Sequence, residues 1–351
     1  MTCPTVVGGV DTHKHTHHAT VIGADGVLIA SQEFPATSAG HSQLAVWFIA
    51  HGEVRAVGVE GTGSFGVPVA RSLQAQGITV VEVNRPNREA RRRSGKSDVL
   101  DAEQAARAVL ARTATAAPKS KAGSVEVIRM LRITRSTAVK SRTQAMNAIH
   151  SVIVSAPGPL RDQLIGLSKR TLIRHCQRLE LHANLVEIAR TSSAVMAGTT
   201  TALRQLADRW ALLDDEIKQL DRQLRQLVIA TAPALCALHG VGPEVAAQML
   251  ITAGDNHDRL TGEGAFARLC GVAPQPASSG QTTGRHRLSR SGDRDANSAL
   301  YLVVITRMRR HAATRAYVER RTAEGRSKRE IIRCLKRYVA REVFNALPEQ
   351  A

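Results

Sequence analysis

The chain is predicted to fold as an α/β N-terminal domain with a mixed sheet, followed by a helical coiled-coil region and a mainly α C-terminal domain with a helix-hairpin-helix. Three observations carry this prediction. Strand and helix patterns interleave up to about residue 117, an apolar heptad stripe runs from Leu203 to Leu227, and Leu238-His239-Gly240-Val241-Gly242-Pro243-Glu244 precedes an apolar-periodic stretch. The expected divisions are 1–117, 118–230 and 231–351.

In the first division, Val6 to Val10, Ala19 to Ile22 and Val27 to Ser31 read as a three-strand meander, with Ala24-Asp25-Gly26 as a turn. A helical stretch around His41 to His51 leads to a strand ending at Glu60. Val67 to Gln76 then reads as helix and Ile78 to Val83 as strand. Asn84 to Lys96 has no apolar periodicity and carries Arg91, Arg92, Arg93 and Lys96, so it reads as a loop. It is either a solvated charge run or a seat for a phosphate backbone.

The second division is helical almost throughout. Leu203, Trp210, Ile217 and Leu224 fall on heptad position a, and Leu206, Leu213, Leu220 and Leu227 fall on d, a pattern that favours an oligomerising coiled coil. The alternative is an antiparallel hairpin with the earlier helix, Val125 to Val154. That helix bears Arg129, Arg132, Arg135, Lys140 and Arg142, which either lie along a nucleic-acid backbone or are solvated. Between Ala156 and Ala202 there is no motif.

The third division opens on the hairpin sequence, whose Gly240 and Gly242 permit a tight turn that exposes backbone N–H groups to a phosphate; a plain glycine turn between packed helices is the alternative. Ser278-Ser279-Gly280 then enters a polar, basic stretch with Arg285, His286, Arg287 and Arg290, ahead of the turn Ser291-Gly292-Asp293. A serine in a cationic loop can attack phosphorus, although Ser-Gly alone is most often a turn. From Ile305 to Glu342, 13 Lys or Arg and four Glu on helical patterns give a basic surface.

Charge narrows the partner. The chain has 48 Lys and Arg against 30 Asp and Glu, a formal net charge of +18, which makes a polyanion the expected partner and places nucleic acid ahead of an anionic membrane. No stretch approaches the roughly 18 continuous apolar residues of a spanning helix, so no membrane partner and a cytoplasmic location are expected. The five cysteines are scattered without CxxC or paired Cys/His spacing, which indicates neither a disulfide framework nor a zinc site. They read as reduced, mostly buried thiols.

Four carboxylates stand out against this basic background. Asp11 and Glu60 each close an apolar run, and Asp98 and Asp101 share one face of a later predicted helix. Acids ending strands beside a helix-borne i, i+3 pair can converge, and hard oxygen ligands suit Mg²⁺ or Mn²⁺. Two such ions about 4 Å apart would stabilise both the attacking and the leaving oxygen of a phosphodiester. Taken alone, each acid reads first as a solvated strand end or helix-surface charge. Lys14 either touches a phosphate near Asp11 or is an ordinary surface lysine. His13, His15, His17 and His18 resemble a metal tract, yet strand alternation puts the first three on one face and His18 on the other, so they are read as non-ligating.

The spacing Gly9-Val10-Asp11-Thr12-His13-Lys14, Glu60-Gly61-Thr62-Gly63 and Lys96-Ser97-Asp98-Val99-Leu100-Asp101-Ala102 resembles the DEDD transposases of bacterial insertion sequences, the IS one-ten family. The distal blocks agree: Gly240-Val241-Gly242-Pro243, Leu269-Cys270-Gly271, Ser279-Gly280 and Leu288-Ser289-Arg290-Ser291-Gly292-Asp293. The resemblance implies a RuvC-like, ribonuclease-H-type N-terminal domain in which Asp11, Glu60, Asp98 and Asp101 bind divalent metal. It implies that Ser279 is the nucleophile, forming a covalent serine–DNA intermediate after meeting the acids of the other domain, from its own or a different protomer. The heptad stripe is expected to supply a dimer or tetramer, and the resemblance further implies a structured guide RNA that pairs with donor and target DNA. That last expectation fits the absence of a helix-turn-helix or zinc-finger pattern and the aromatic content of 3%, low for a base-stacking platform. The alternative is a RuvC-like structure-specific endonuclease, of the junction-resolving type, without serine chemistry.

Overall fold

The structure, a computed structural model, describes residues 4–83, 97–256, 259–276, 286–288 and 292–348. Two compact units are present. The first is formed by the described residues of 1–123 and 252–292, the second by those of 124–251 and 293–348.

The first unit is built on strands β1 (Thr5–Thr12), β2 (Thr16–Gly23), β3 (Leu28–Pro35), β4 (Glu53–Glu60) and β5 (Val80–Val83), with helices α1 (Ser38–Ala50), α2 (Val67–Ala75) and α3 (Asp98–Leu110). The sheet order is β3-β2-β1-β4-β5. The first three strands form the antiparallel meander the sequence suggested, and β4 and β5 add in parallel beside β1. Each parallel addition is made through a crossover helix, as a parallel connection requires.

One sheet face packs Val6, Val10, Val57 and Val59 against Leu44, Phe48 and Leu73 of α1 and α2. The opposite face packs Val7, Ile22 and Ala56 against Ala105, Ala106 and Val109 of α3. Period-2 alternation within β1 supplies both cores, which is why Val6 to Val10 reads as a continuous apolar run.

The histidine alternation inferred from sequence does not hold, because a turn at 13–15 interrupts it. His13 N donates to Thr16 O at 3.0 Å, and β2 restarts the alternation at Thr16. His17 is buried on the α1 face, its ring stacked on His41 with Nε2 to Nε2 at 3.1 Å. Burial, reinforced by His41, pushes the His17 pKa down to about 4 from 6.5. The folded form therefore resists a proton that the unfolded chain accepts, so stability present above pH 6.5 is lost as pH falls towards 4. The loss from this residue is on the order of 3 kcal/mol. Thermal unfolding followed from pH 7.5 to 5 is expected to show the acid loss shrink in His17→Phe.

The first unit also contains α11 (Glu263–Leu269) and the two-stranded ribbon β6 (Pro274–Pro276) with β7 (His286–Leu288). This segment is tied to the stretch after α3. Asn256 Oδ1 accepts from Ser120 N at 3.0 Å, and its Nδ2 donates to Pro118 O at 2.8 Å.

The second unit is helical: α4 (Ser124–Val154), α5 (Gly158–Leu164), α6 (Lys169–Cys176), α7 (Leu185–Ile188), α8 (Ala194–Thr231), α9 (Pro233–Ala237), most of α10 (Pro243–Ala253), α12 (Arg294–Arg310), α13 (Ala312–Ala323) and α14 (Lys328–Asn345). Helices α4 and α8 pair antiparallel, joined by Arg135–Asp221 and Arg142–Asp214 ion pairs whose numbering runs in opposite directions. All four a positions of the heptad stripe are buried, Leu203 and Trp210 in a core with Ile149 and Ile153 of α4. Much of the seam is thus consumed within one chain, along the lines of the hairpin alternative. The motif-free stretch 156–202 contributes Leu160, Leu164, Leu172 and Cys176 to that same core. Burial raises the Cys176 thiol pKa to about 11, which suits a packing role.

Candidate active site

Val10 faces Val59 across the parallel β1–β4 pair, so Asp11 and Glu60, the next residues, leave neighbouring strands at the same end. Thr12 Oγ1 donates to Glu60 O at 3.0 Å and ties those ends together. Helix α3 is laid over this edge by two glycines. A Cβ on Gly9 would stand 2.0 Å from Ala102 O, and one on Gly58 2.6 Å from Ala105 O, so only hydrogen at both positions lets the helix backbone settle on the sheet.

The first turn of α3 then carries Asp98 and Asp101 over the strand ends. Ser97 caps it, its Oγ accepting from Leu100 N at 3.3 Å, and both acids sit where the helix dipole favours negative charge.

Asp11 and Asp101 are buried. The Asp11 pKa is raised: desolvation is the main cause, His13 opposes it, and Asp101 and Asp98 add to it. A polar group from outside the four acids joins them. His13 Nε2 lies 3.2 Å from Asp11 Oδ2 and 3.3 Å from Asp98 Oδ1. Ligand atoms of Asp11, His13 and Asp98 all fall within 4.8 Å of one another. Such a set of hard oxygens and one imidazole nitrogen, in which buried like charges raise a carboxylate pKa, fits a divalent cation that would neutralise them. Among the described residues, the potential ligands that the structure groups are Asp11, His13 and Asp98, with Asp101 buried beside Asp11.

Sequence reasoning passed over His13 because it laid the histidines in regular alternation along an antiparallel strand pair and read them as non-ligating. The available signal was closeness in sequence, since His13 follows Asp11 by two residues, just past the end of β1. It also missed Lys121, a buried non-glycine at φ +49° whose Nζ donates to Gly63 O at 2.8 Å in the loop after Glu60.

The other candidate residues are more dispersed. Lys14 is exposed in the turn beside Asp11. Arg91, Arg92, Arg93, Lys96, Ser279, Arg285 and Arg290 lie outside the described residues. Arg287 is exposed on β7. Arg129 is paired with Glu126 at 2.6 Å, and Arg132 is held by Glu244 at 3.6 Å and by Gln248. Gly240 adopts φ +80° in the turn between α9 and α10, where Arg307 Nε donates to His239 O at 2.8 Å. Within the basic tail, Arg307 and Lys336 are buried and point to Glu342 and Asn297, so the outward charge comes from their neighbours.

This acidic edge meets its counterpart in known sequences. A transposase family of DEDD type, IS110, matches residues 8–156, and the transposase IS116/IS110/IS902 family matches residues 232–319. The chain belongs to the IS110 family of transposases. Among relatives of this IS110-family chain, the insertion element IS116 uncharacterized 44.8 kDa protein of Streptomyces clavuligerus is 26% identical, over 90% of this chain and 88% of that protein. The insertion element IS110 uncharacterized 43.6 kDa protein of Streptomyces coelicolor is 28% identical, over 48% of this chain and 42% of that protein. The pilin gene-inverting protein of Moraxella lacunata is 29% identical, over 34% of this chain and 39% of that protein. As an IS110-family member the chain is a DNA transposase or recombinase, for which divalent metal and a DNA substrate are implied. Among the described residues, no helix is long and apolar enough to cross a membrane.

Proposed function

We propose that this chain cuts and rejoins DNA strands by metal-assisted transfer to a serine, with a structured RNA supplying target choice. The observation that carries the proposal is the gathering of Asp11, Asp98 and Asp101 beside the Glu60 strand end, on a β3-β2-β1-β4-β5 sheet of RuvC-like, ribonuclease-H type. Divalent ions bound there, Mg²⁺ or Mn²⁺, supply Lewis acidity and charge neutralisation at the phosphate.

The residues of the chain divide the remaining work. Asp11, Glu60, Asp98 and Asp101 hold and orient the site. Ser279, inside the second matched segment, attacks phosphorus: its Oγ–P bond forms as Oγ gives up its proton, the P–O bond to the leaving deoxyribose breaks, and the released oxygen takes up a proton in turn, so no net proton is consumed. The bond energy is kept in the phosphoserine ester, so reversal by a new hydroxyl rejoins the strand. Lys14, Arg91, Arg92, Arg93, Lys96, Arg285, Arg287 and Arg290 seat phosphates, and Arg129 and Arg132 join them where their ion pairs exchange. Gly240 and Gly242 offer backbone N–H groups in a helix-hairpin-helix role. Donor and target DNA are brought together by a dimer or tetramer, assembled through the part of the α8 stripe that α4 leaves open.

Trapping decides the chemistry. Incubation with DNA and Mg²⁺ is expected to yield a protein–DNA adduct that Ser279→Ala eliminates. Cleavage that proceeds without an adduct and survives the substitution would replace this reading with a hydrolytic RuvC-like endonuclease.

A further inference from the structure

We infer that His13 is a nitrogen ligand in the metal site, which raises the affinity of that site for first-row transition ions relative to Mg²⁺. The inference rests on the metal-site reading above and adds a residue to it. Three observations carry it.

The His13 ring is 42% exposed, yet its Nε2 atom is shielded from solvent and meets no partner at hydrogen-bond geometry. That atom nonetheless lies 3.2 Å from Asp11 Oδ2 and 3.3 Å from Asp98 Oδ1. Donor atoms bound to one ion at about 2.1 Å, with angles between square and tetrahedral, stand roughly 3.0–3.4 Å apart. Both His13 separations therefore match those of ligands to a shared cation. Finally, the His13 N to Thr16 O bond closes the turn at 13–15 and holds the His13 backbone just past the end of β1, within reach of both carboxylates.

Imidazole changes which ion is favoured. Mg²⁺ takes carboxylate and water oxygens, whereas a nitrogen donor adds more to the binding of Mn²⁺ and later ions of the row. The competing role for His13 is that of a protonated counter-ion between two carboxylates, which an incoming cation would displace. The two roles differ in whether nitrogen stays bonded once metal is present.

The test uses the full chain with Mn²⁺ alone. Electron spin-echo modulation of bound Mn²⁺ is expected to show ¹⁴N coupling, lost in both His13→Gln and His13→Ala. Mn²⁺ affinity is expected to fall at least about tenfold in these variants while Mg²⁺ affinity, read by competition, moves by less than about threefold. Two substitutions in an exposed turn, each checked by circular dichroism, guard against a folding artefact. Absence of ¹⁴N coupling in the parent protein, or its persistence in both variants, would overturn the assignment of His13. If Asp11→Asn binds Mn²⁺ at full affinity, the metal site itself is misplaced and the inference falls with it. Loss in Asp11→Asn without change in the His13 variants leaves the site standing and rejects only the histidine.

Discussion

Replacing Asp11 by asparagine is expected to cut strand exchange by about 10³-fold or more while DNA or RNA binding is retained. Asp11 is buried at the end of β1, where desolvation, Asp101 and Asp98 disfavour its charge and outweigh His13 and the Thr12 backbone N–H, which favour it. Such a carboxylate is a cost to the metal-free fold. The amide has nearly the same shape and removes the repulsion, so the melting temperature of the variant is expected to hold or rise. Divalent metal should separate the proteins further. An ion that binds only the folded form stabilises it by about 2.7 kcal/mol at a hundred times its Kd, and the variant is expected to lose that increment. Unchanged strand exchange in Asp11→Asn would remove Asp11 from the chemistry.

The sheet and its acids were legible because they obey short-range rules. The alternation in Val6 to Val10, the Asp25-Gly26 turn and the i, i+3 spacing of Asp98 and Asp101 are each complete within a dozen residues. They pointed to the meander, to both strand ends and to the first turn of α3. What escaped the sequence depends on contacts between segments far apart in it. His13 follows Asp11 by two residues, but the second carboxylate it meets, Asp98, is 85 positions away in the sequence. The heptad stripe of α8 is real as a pattern, but a pattern does not name its partner, and Ala145, Ile149 and Ile153 of α4 pack against its Leu203 and Trp210 end. Arg132 and Arg135 looked like phosphate ligands for the same reason: their carboxylates, Glu244 and Asp221, are about 86 to 112 positions downstream and invisible to local reading.

The glycine beneath α3 yields the other large effect. Gly9→Ala places a methyl 2.0 Å from Ala102 O and 2.5 Å from Ala106 N, both backbone atoms of a helix that cannot yield as a flexible side chain would. Either α3 lifts or β1 bends. Overpacking of this kind costs about 3 kcal/mol or more. The site should suffer beyond the loss of folded protein, because α3 carries Asp98 and Asp101, and a displacement near 1 Å costs roughly 10²-fold in a positioned reaction. Denaturant midpoints and Mn²⁺ affinity measured together check both parts. Gly58→Ala, with Ala105 O at 2.6 Å, is expected to act in the same direction and less strongly. Gly198→Ala supplies the contrast. It lies within α8 with nothing within 4 Å of the added methyl, so it should be neutral or stabilising by up to about 1 kcal/mol. If Gly9→Ala matches Gly198→Ala in stability and metal affinity, close seating of α3 on β1 is not what aligns the four acids.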